Sequence, residues 1–159
     1  MSTTTEPSTE FFLPLLQAAQ GLDLRAPDQA RVELERRYPA SGAAASMFSE
    51  VLQGWFEEGK ICERGEMPMR FGRVSKATPE SLDFSIDIVH MDGPGPEHKH
   101  PQGEVNFCIS IDGQPTFDGH APGWVVFPPN SVHVPTVSGG TMLIVYLLPQ
   151  GAMEFTRTK

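Results

Sequence analysis

The sequence predicts a mainly β domain, a small double-sheet barrel with helices packed on its outside, and three observations carry that expectation. From Ile61 onward, short runs rich in Val, Ile, Phe and Ser are separated by turn signals: Gly93-Pro94-Gly95-Pro96, Asp112-Gly113, Asp118-Gly119 and Ser138-Gly139-Gly140. Before Ile61 the apolar residues recur at helical spacing instead. The length of 159 residues suits one domain that can bury its own core without disulfides.

Taken in order, residues 1–8 form a polar leader expected to be disordered, 9–60 a helical segment packed on the barrel, and 61–159 the barrel itself. Thr9 can cap a helix running through Gln20, with Phe11, Phe12, Leu15, Leu16 and Ala19 on one face and Gly21 as its stop. Pro27 suits the first turn of a second helix, which must end near Tyr38 because Pro39 follows. Ser46 can cap a third, in which Met47, Phe48, Val51, Leu52, Trp55 and Phe56 make an apolar face before Gly59. Strands are expected near 69–76, 82–91, 97–100, 104–111, 115–118, 123–127, 132–136 and 141–148.

Composition narrows the function. Twenty acidic against twelve basic residues give a formal charge of −8 with no basic stripe, which argues against nucleic acid and anionic membrane surfaces as partners. The N-terminus lacks the basic start and apolar core of a signal peptide, and no segment is apolar for long enough to span a bilayer, so a cytoplasmic protein is expected. Cys62 and Cys108 have no CxxC spacing and read as reduced thiols.

The informative stretch is Glu97-His98-Lys99-His100-Pro101-Gln102-Gly103-Glu104-Val105-Asn106, followed downstream by Gly123-Trp124 and by Pro128-Pro129-Asn130-Ser131-Val132-His133. Side chains alternate along a strand, so His98 and His100 share a face and can ligate one ion together. Glu104 has the same parity and can rejoin that face after the Pro101-Gln102-Gly103 turn. His133, arriving on another strand, would complete a set of three histidines and a glutamate, which suits Fe(II), Mn(II), Zn(II) or Ni(II) with positions left for water or substrate. His90 and His120 fit no ligand spacing and read as structural.

The HxHxxxE element and the later Pro-x-Asn and His133 resemble the two signature motifs of the cupin superfamily, with Asn130 where the second motif has glycine. That resemblance implies a cupin jelly-roll barrel with His98, His100, Glu104 and His133 as metal ligands. From the third helix to the end, Arg70-Phe71-Gly72-Arg73-Val74, the HxHPxGE element with Asn106, Phe117-Asp118-Gly119-His120 and Leu147-Leu148-Pro149-Gln150-Gly151 look like the 4-hydroxylaminobenzoate lyase family. The family implies conversion of 4-hydroxylaminobenzoate to 3,4-dihydroxybenzoate (protocatechuate) and ammonia, in nitroaromatic degradation; one divalent transition metal ion, held by the four ligands, is expected to serve as Lewis acid.

For such a substrate, Glu104 and Asn106 are candidate catalytic groups, Asn106 having inward parity, and Tyr146 is a candidate hydrogen-bond donor. The substrate carboxylate calls for an arginine fork; Arg70 and Arg73 have opposite parity, so at most one points inward, with Arg73 preferred. Trp124 is a candidate aromatic wall, although for it and for Tyr146 ordinary core packing is the stronger reading. Glu97 has the parity opposite to His98 and is expected to be exposed. Three other readings stand beside the lyase: an Fe(II) dioxygenase or other cupin enzyme, which would consume oxygen; a non-catalytic ligand-binding cupin, which would hold its ligand without product; and a pocket without metal in which the motif histidines act as acid and base, which would be active with the site empty. A homodimer is expected, with sedimentation mass as its test.

Overall fold

Pro14 lacks a backbone N–H, and the first helix divides around it. A 3-10 turn spans Thr9–Phe12 and an α-helix, α1, spans Leu13–Ala19 with Pro14 in its first turn. A computed structural model describes residues 6–156; the first five residues of the expected leader lie outside the described residues. Thr9 therefore sits inside the 3-10 turn and does not cap a helix. The second helix, α2, spans Pro27–Arg37. The third, α3, spans Ala43–Glu57 and begins a turn earlier than expected, at Gly42, because Ala43-Ala44-Ala45 are strong helix formers; Ser46 is internal. Its buried face is Ala45, Phe48, Leu52 and Trp55, while Met47 and Val51 are exposed.

Among the described residues nine strands follow: β1 Arg64–Glu66, β2 Met69–Ser75, β3 Phe84–Met91, β4 His98–His100, β5 Glu104–Phe117, β6 Gly123–Phe127, β7 Ser131–His133, β8 Val137–Pro149 and β9 Glu154–Phe155. They form a six-stranded sheet ordered β1-β2-β3-β8-β5-β6 and a three-stranded sheet ordered β7-β4-β9. The short outer strands β1 and β9 were not expected, and the strand expected at 132–136 ends at His133. Asp112-Gly113 and Ser138-Gly139-Gly140, expected as turns, lie within long strands β5 and β8. The two glycine signals face each other, Gly113 opposite Gly140, between two shifts of register. A Cβ on Gly140 would lie 2.1 Å from the Asp112 carbonyl oxygen, so the close approach of the two backbones requires glycine there.

The large sheet is apolar on both faces. Leu143, Val145 and Leu147 of β8, with Phe107 and Trp124, pack on the helices, whose Phe12, Leu16 and Trp55 complete that core. The alternate residues Met142, Ile144 and Tyr146 join Val89, Met91, Cys108 and Phe117 in a second cluster on the inner face. This double burial explains why β8 reads as an unbroken apolar run, Met142–Leu148, where a sheet with one wet face would alternate. The inner face of the large sheet and the β7-β4-β9 sheet together enclose the site.

Candidate metal centre

Parity delivers the site. On β4, His98 and His100 point inward and are buried while Lys99 is only half-buried. His133 on β7 stands directly opposite His98 in the antiparallel register, and the Asn130 amide donates to the His100 carbonyl at 2.7 Å, fixing the turn before β7 against β4. Asn130 adopts the left-handed backbone (φ 68) that the motif glycine would supply. Glu104 opens β5 and is fully buried.

The structure brings all four expected ligands together. One donor atom from each of His98, His100, Glu104 and His133 lies within 4.8 Å of the others. The His133 Nε2 is 3.0 Å from Nε2 of His100 and 3.1 Å from Nε2 of His98, and the Glu104 Oε1 is 3.2 Å from Nε2 of His100. Three imidazole nitrogens turned toward one point would repel through their lone pairs, and a shared cation would relieve this. The Glu104 Oε2, buried without a hydrogen-bond partner, is a further donor, since an orphaned buried carboxylate oxygen is costly. The residues thus fit a divalent ion of the kind that takes imidazole and carboxylate ligands.

Outer contacts orient these ligands. The His98 Nδ1 lies 3.1 Å from the Pro96 carbonyl, and the His133 Nδ1 lies 2.5 Å from Asp118 Oδ2. Asn106 donates from Nδ2 to Glu104 Oε1 at 3.0 Å and to the Val125 carbonyl at 3.3 Å, leaving its buried Oδ1 without a partner. Burial, opposed by the neighbouring Glu104 carboxylate, brings His98 down to about 4, so the ring is neutral at pH 7 and available as a ligand.

The other expected residues divide by face. Asn106, Tyr146, Asp87 and Arg73 are successive register partners across β5, β8, β3 and β2, so they share the inner face. Burial first, then the negative charge of Glu104, holds the Tyr146 phenol well above its usual range, so it keeps its proton. Arg73 donates from Nε and Nη2 to Asp87 at 2.9 and 3.2 Å. With Met69, Phe71, Tyr146 and Phe155 this pair lines a cleft of about 380 Å³. The Phe155 ring meets the His98 ring edge-on at 6.2 Å, placing this cleft beside the four-residue cluster.

Arg70 and Trp124 are not brought to the cluster. Arg70 is opposite His90, whose ring stacks on Phe56 of α3 at 4.2 Å, and so lies on the helix-covered face. Trp124 is opposite Phe107, one residue out of phase with Asn106; its indole donates to the Tyr38 carbonyl at 2.8 Å and belongs to the helix-side core. Glu97 is exposed and accepts from the Thr156 hydroxyl at 2.7 Å. Spacing assigned no site role to Asp118, Asp87 or Phe155, because each reaches the site from a distant segment.

A double-sheet β fold with external N-terminal helices and a buried cluster of three histidines and a glutamate defines the class: this is a cupin with a candidate metal site. Within that class the chain belongs to the 4-hydroxylaminobenzoate lyase family, which matches residues 16–155. It is 29% identical over 121 residues to a 4-hydroxylaminobenzoate lyase of Pseudomonas putida, covering 66% of this chain and 67% of that one. It is 31% identical over 97 residues to a 4-hydroxylaminobenzoate lyase of Nocardioides sp. (strain LMS-CY), covering 56% of this chain and 57% of that one. Among solved structures, a cupin-like protein from Thermotoga maritima aligns with 16% identity and a TM-score of 0.42, over 62% of this chain and 86% of that one. An RmlC-like cupin protein from Ralstonia eutropha aligns with 15% identity and a TM-score of 0.43, over 61% and 65% of the two chains.

Proposed function

We propose that this protein is a metal-dependent lyase that converts 4-hydroxylaminobenzoate and one water to 3,4-dihydroxybenzoate and ammonia. The observation that carries the reading is the buried convergence of His98, His100, Glu104 and His133 in a chain of this family. The atoms balance without an oxidant or reductant: the N–O bond is lost, oxygen adds to the ring carbon beside the nitrogen, and the resulting imine is hydrolysed.

His98, His100, Glu104 and His133 would hold a divalent ion, which supplies Lewis acidity beside the departing N-hydroxyl group. Asn106 presents its unpartnered Oδ1 as an acceptor for the hydroxylamine N–H or O–H while its Nδ2 holds Glu104 in place. Tyr146, kept protonated by burial, donates a hydrogen bond to the oxygen on which negative charge develops. Arg73, held by Asp87, takes the substrate carboxylate at the far end of the cleft, and Met69, Phe71 and Phe155 cover the ring and exclude water.

The test is anaerobic incubation of metal-quantified protein with 4-hydroxylaminobenzoate, following both products. Equal release of ammonia and 3,4-dihydroxybenzoate is expected. Turnover that requires oxygen, or none by metal-loaded protein, overturns the reading.

A further inference from the structure

Asp118 follows β5 in a tight turn with a left-handed backbone (φ 49), and both of its carboxylate oxygens are engaged. Oδ2 lies 2.5 Å from Nδ1 of His133, and Oδ1 accepts from the backbone N–H of Thr136 at 2.8 Å. The Asp118 amide in turn donates to the Thr136 carbonyl at 2.9 Å. One side chain therefore grips both the candidate ligand on β7 and the chain just beyond it.

We propose that Asp118 is a positioning residue that fixes the tautomer of His133, keeping the ring hydrogen on Nδ1 so that Nε2 faces the cluster with its lone pair. This rests on the reading that the four residues hold a metal ion. A carboxylate can only accept, so the hydrogen of the neutral ring must sit on the nitrogen facing Asp118. The arrangement pairs His133 with His98, whose Nδ1 faces the Pro96 carbonyl. His100 has no such partner among the described residues, its buried Nδ1 being unbonded. Outer carboxylates of this kind fix ring orientation and raise ligand basicity.

Two substitutions at Asp118 separate loss of the tautomer from simple loss of packing. In Asp118→Asn the amide oxygen can still accept from Thr136, but its NH₂ faces His133 Nδ1 and donates to it. That hydrogen bond favours the opposite tautomer, with hydrogen on Nε2, and removes His133 as a ligand. In Asp118→Ala the Thr136 tether is gone while either tautomer remains accessible.

The experiment is titration of metal-free wild type, Asp118→Asn, Asp118→Ala and, as the reference for a lost ligand, His133→Ala with Co(II), reading affinity by chelator competition and ligation by the visible absorption bands, with thermal midpoints alongside. Asp118→Asn should bind Co(II) ~10–100-fold more weakly than wild type and show the bands of His133→Ala. Asp118→Ala should bind better than Asp118→Asn while melting lower. Wild-type affinity and spectrum in Asp118→Asn, or affinities that fall in the same order as the thermal midpoints, overturn the proposal. No Co(II) uptake by wild type would instead overturn the metal reading on which it rests. Should Asp118→Ala not fold, the affinity and spectrum of Asp118→Asn decide alone.

Discussion

Among single residues, burial separates those whose loss should remove function from those whose loss should remove the fold. His100 and Glu104 are fully buried, but their polar atoms point at one another and at His133, and Glu104 Oε2 has no hydrogen-bond partner among the described residues. Truncating either relieves lone-pair crowding while deleting a donor. His100→Ala and Glu104→Ala should therefore lose bound metal and turnover yet keep the wild-type circular dichroism and a cooperative melt, as elemental analysis beside spectroscopy will check. Full activity in both variants would dismiss these ligands. At this scale the sequence was informative where alternation applies: His98, His100, Glu104 and Asn106 are two or four residues apart, and each is where strand parity puts it. Parity also separated Arg70 from Arg73, so that only one of them could face inward; register with Asp87 on β3 decided that it is Arg73. For Trp124 core packing was the stronger expectation, and the ring does lie in the helix-side core, its phase fixed by pairing with Phe107 on another strand.

At the scale of elements, the helices act through one face. Trp55 of α3 is fully buried among Phe11, Leu52 and the outer face of the large sheet, with the Phe11 ring 4.6 Å away. Trp55→Ala should cost about 3–5 kcal/mol of stability while leaving metal content per folded molecule unchanged, as urea unfolding with parallel metal analysis will measure. A loss below about 1 kcal/mol would mean that the helical layer is not part of the cooperative core. The helical periodicity and the strand alternation were both legible, but their limits were not. α3 starts before its apparent serine cap because alanine propensity outweighs a single capping group. β5 and β8 run through their glycine pairs because each supplies the other with ladder hydrogen bonds, and a local turn signal cannot show that its partner strand bulges at the same level.

For the molecule as a whole, burial holds two thiols and a phenol in their neutral forms, which ties stability to pH. Burial pushes the Cys62 thiol from an ordinary value of 9.0 up to about 12, and it raises Cys108 and Tyr146 in the same direction. Above pH 9 the unfolded chain ionises its thiols while folded Cys62 keeps its proton, so the unfolded state binds fewer protons and stability falls as pH rises. Stability present below pH 9 should decline progressively towards pH 12. Cys62→Ser, which has no group titrating there, should flatten that decline relative to wild type. Urea midpoints at a series of alkaline pH values measure the difference; equal slopes for the two proteins would refute the assignment to Cys62. Among the described residues no helix is long and apolar enough to cross a membrane.

By itself the sequence determined what depends on neighbours along the chain: a helical stretch followed by a β domain, and the shared face of two histidines, a glutamate and an asparagine. The tertiary structure alone decided what depends on distant segments meeting: which glycine pairs are bulges, which face Trp124 joins, and the approach of Asp118 to His133 across 15 residues. The physical reason is range. Backbone periodicity and side-chain alternation are set within a few residues, whereas register, sheet order and contacts between turns follow from burying both faces of one sheet, a condition that no single segment contains.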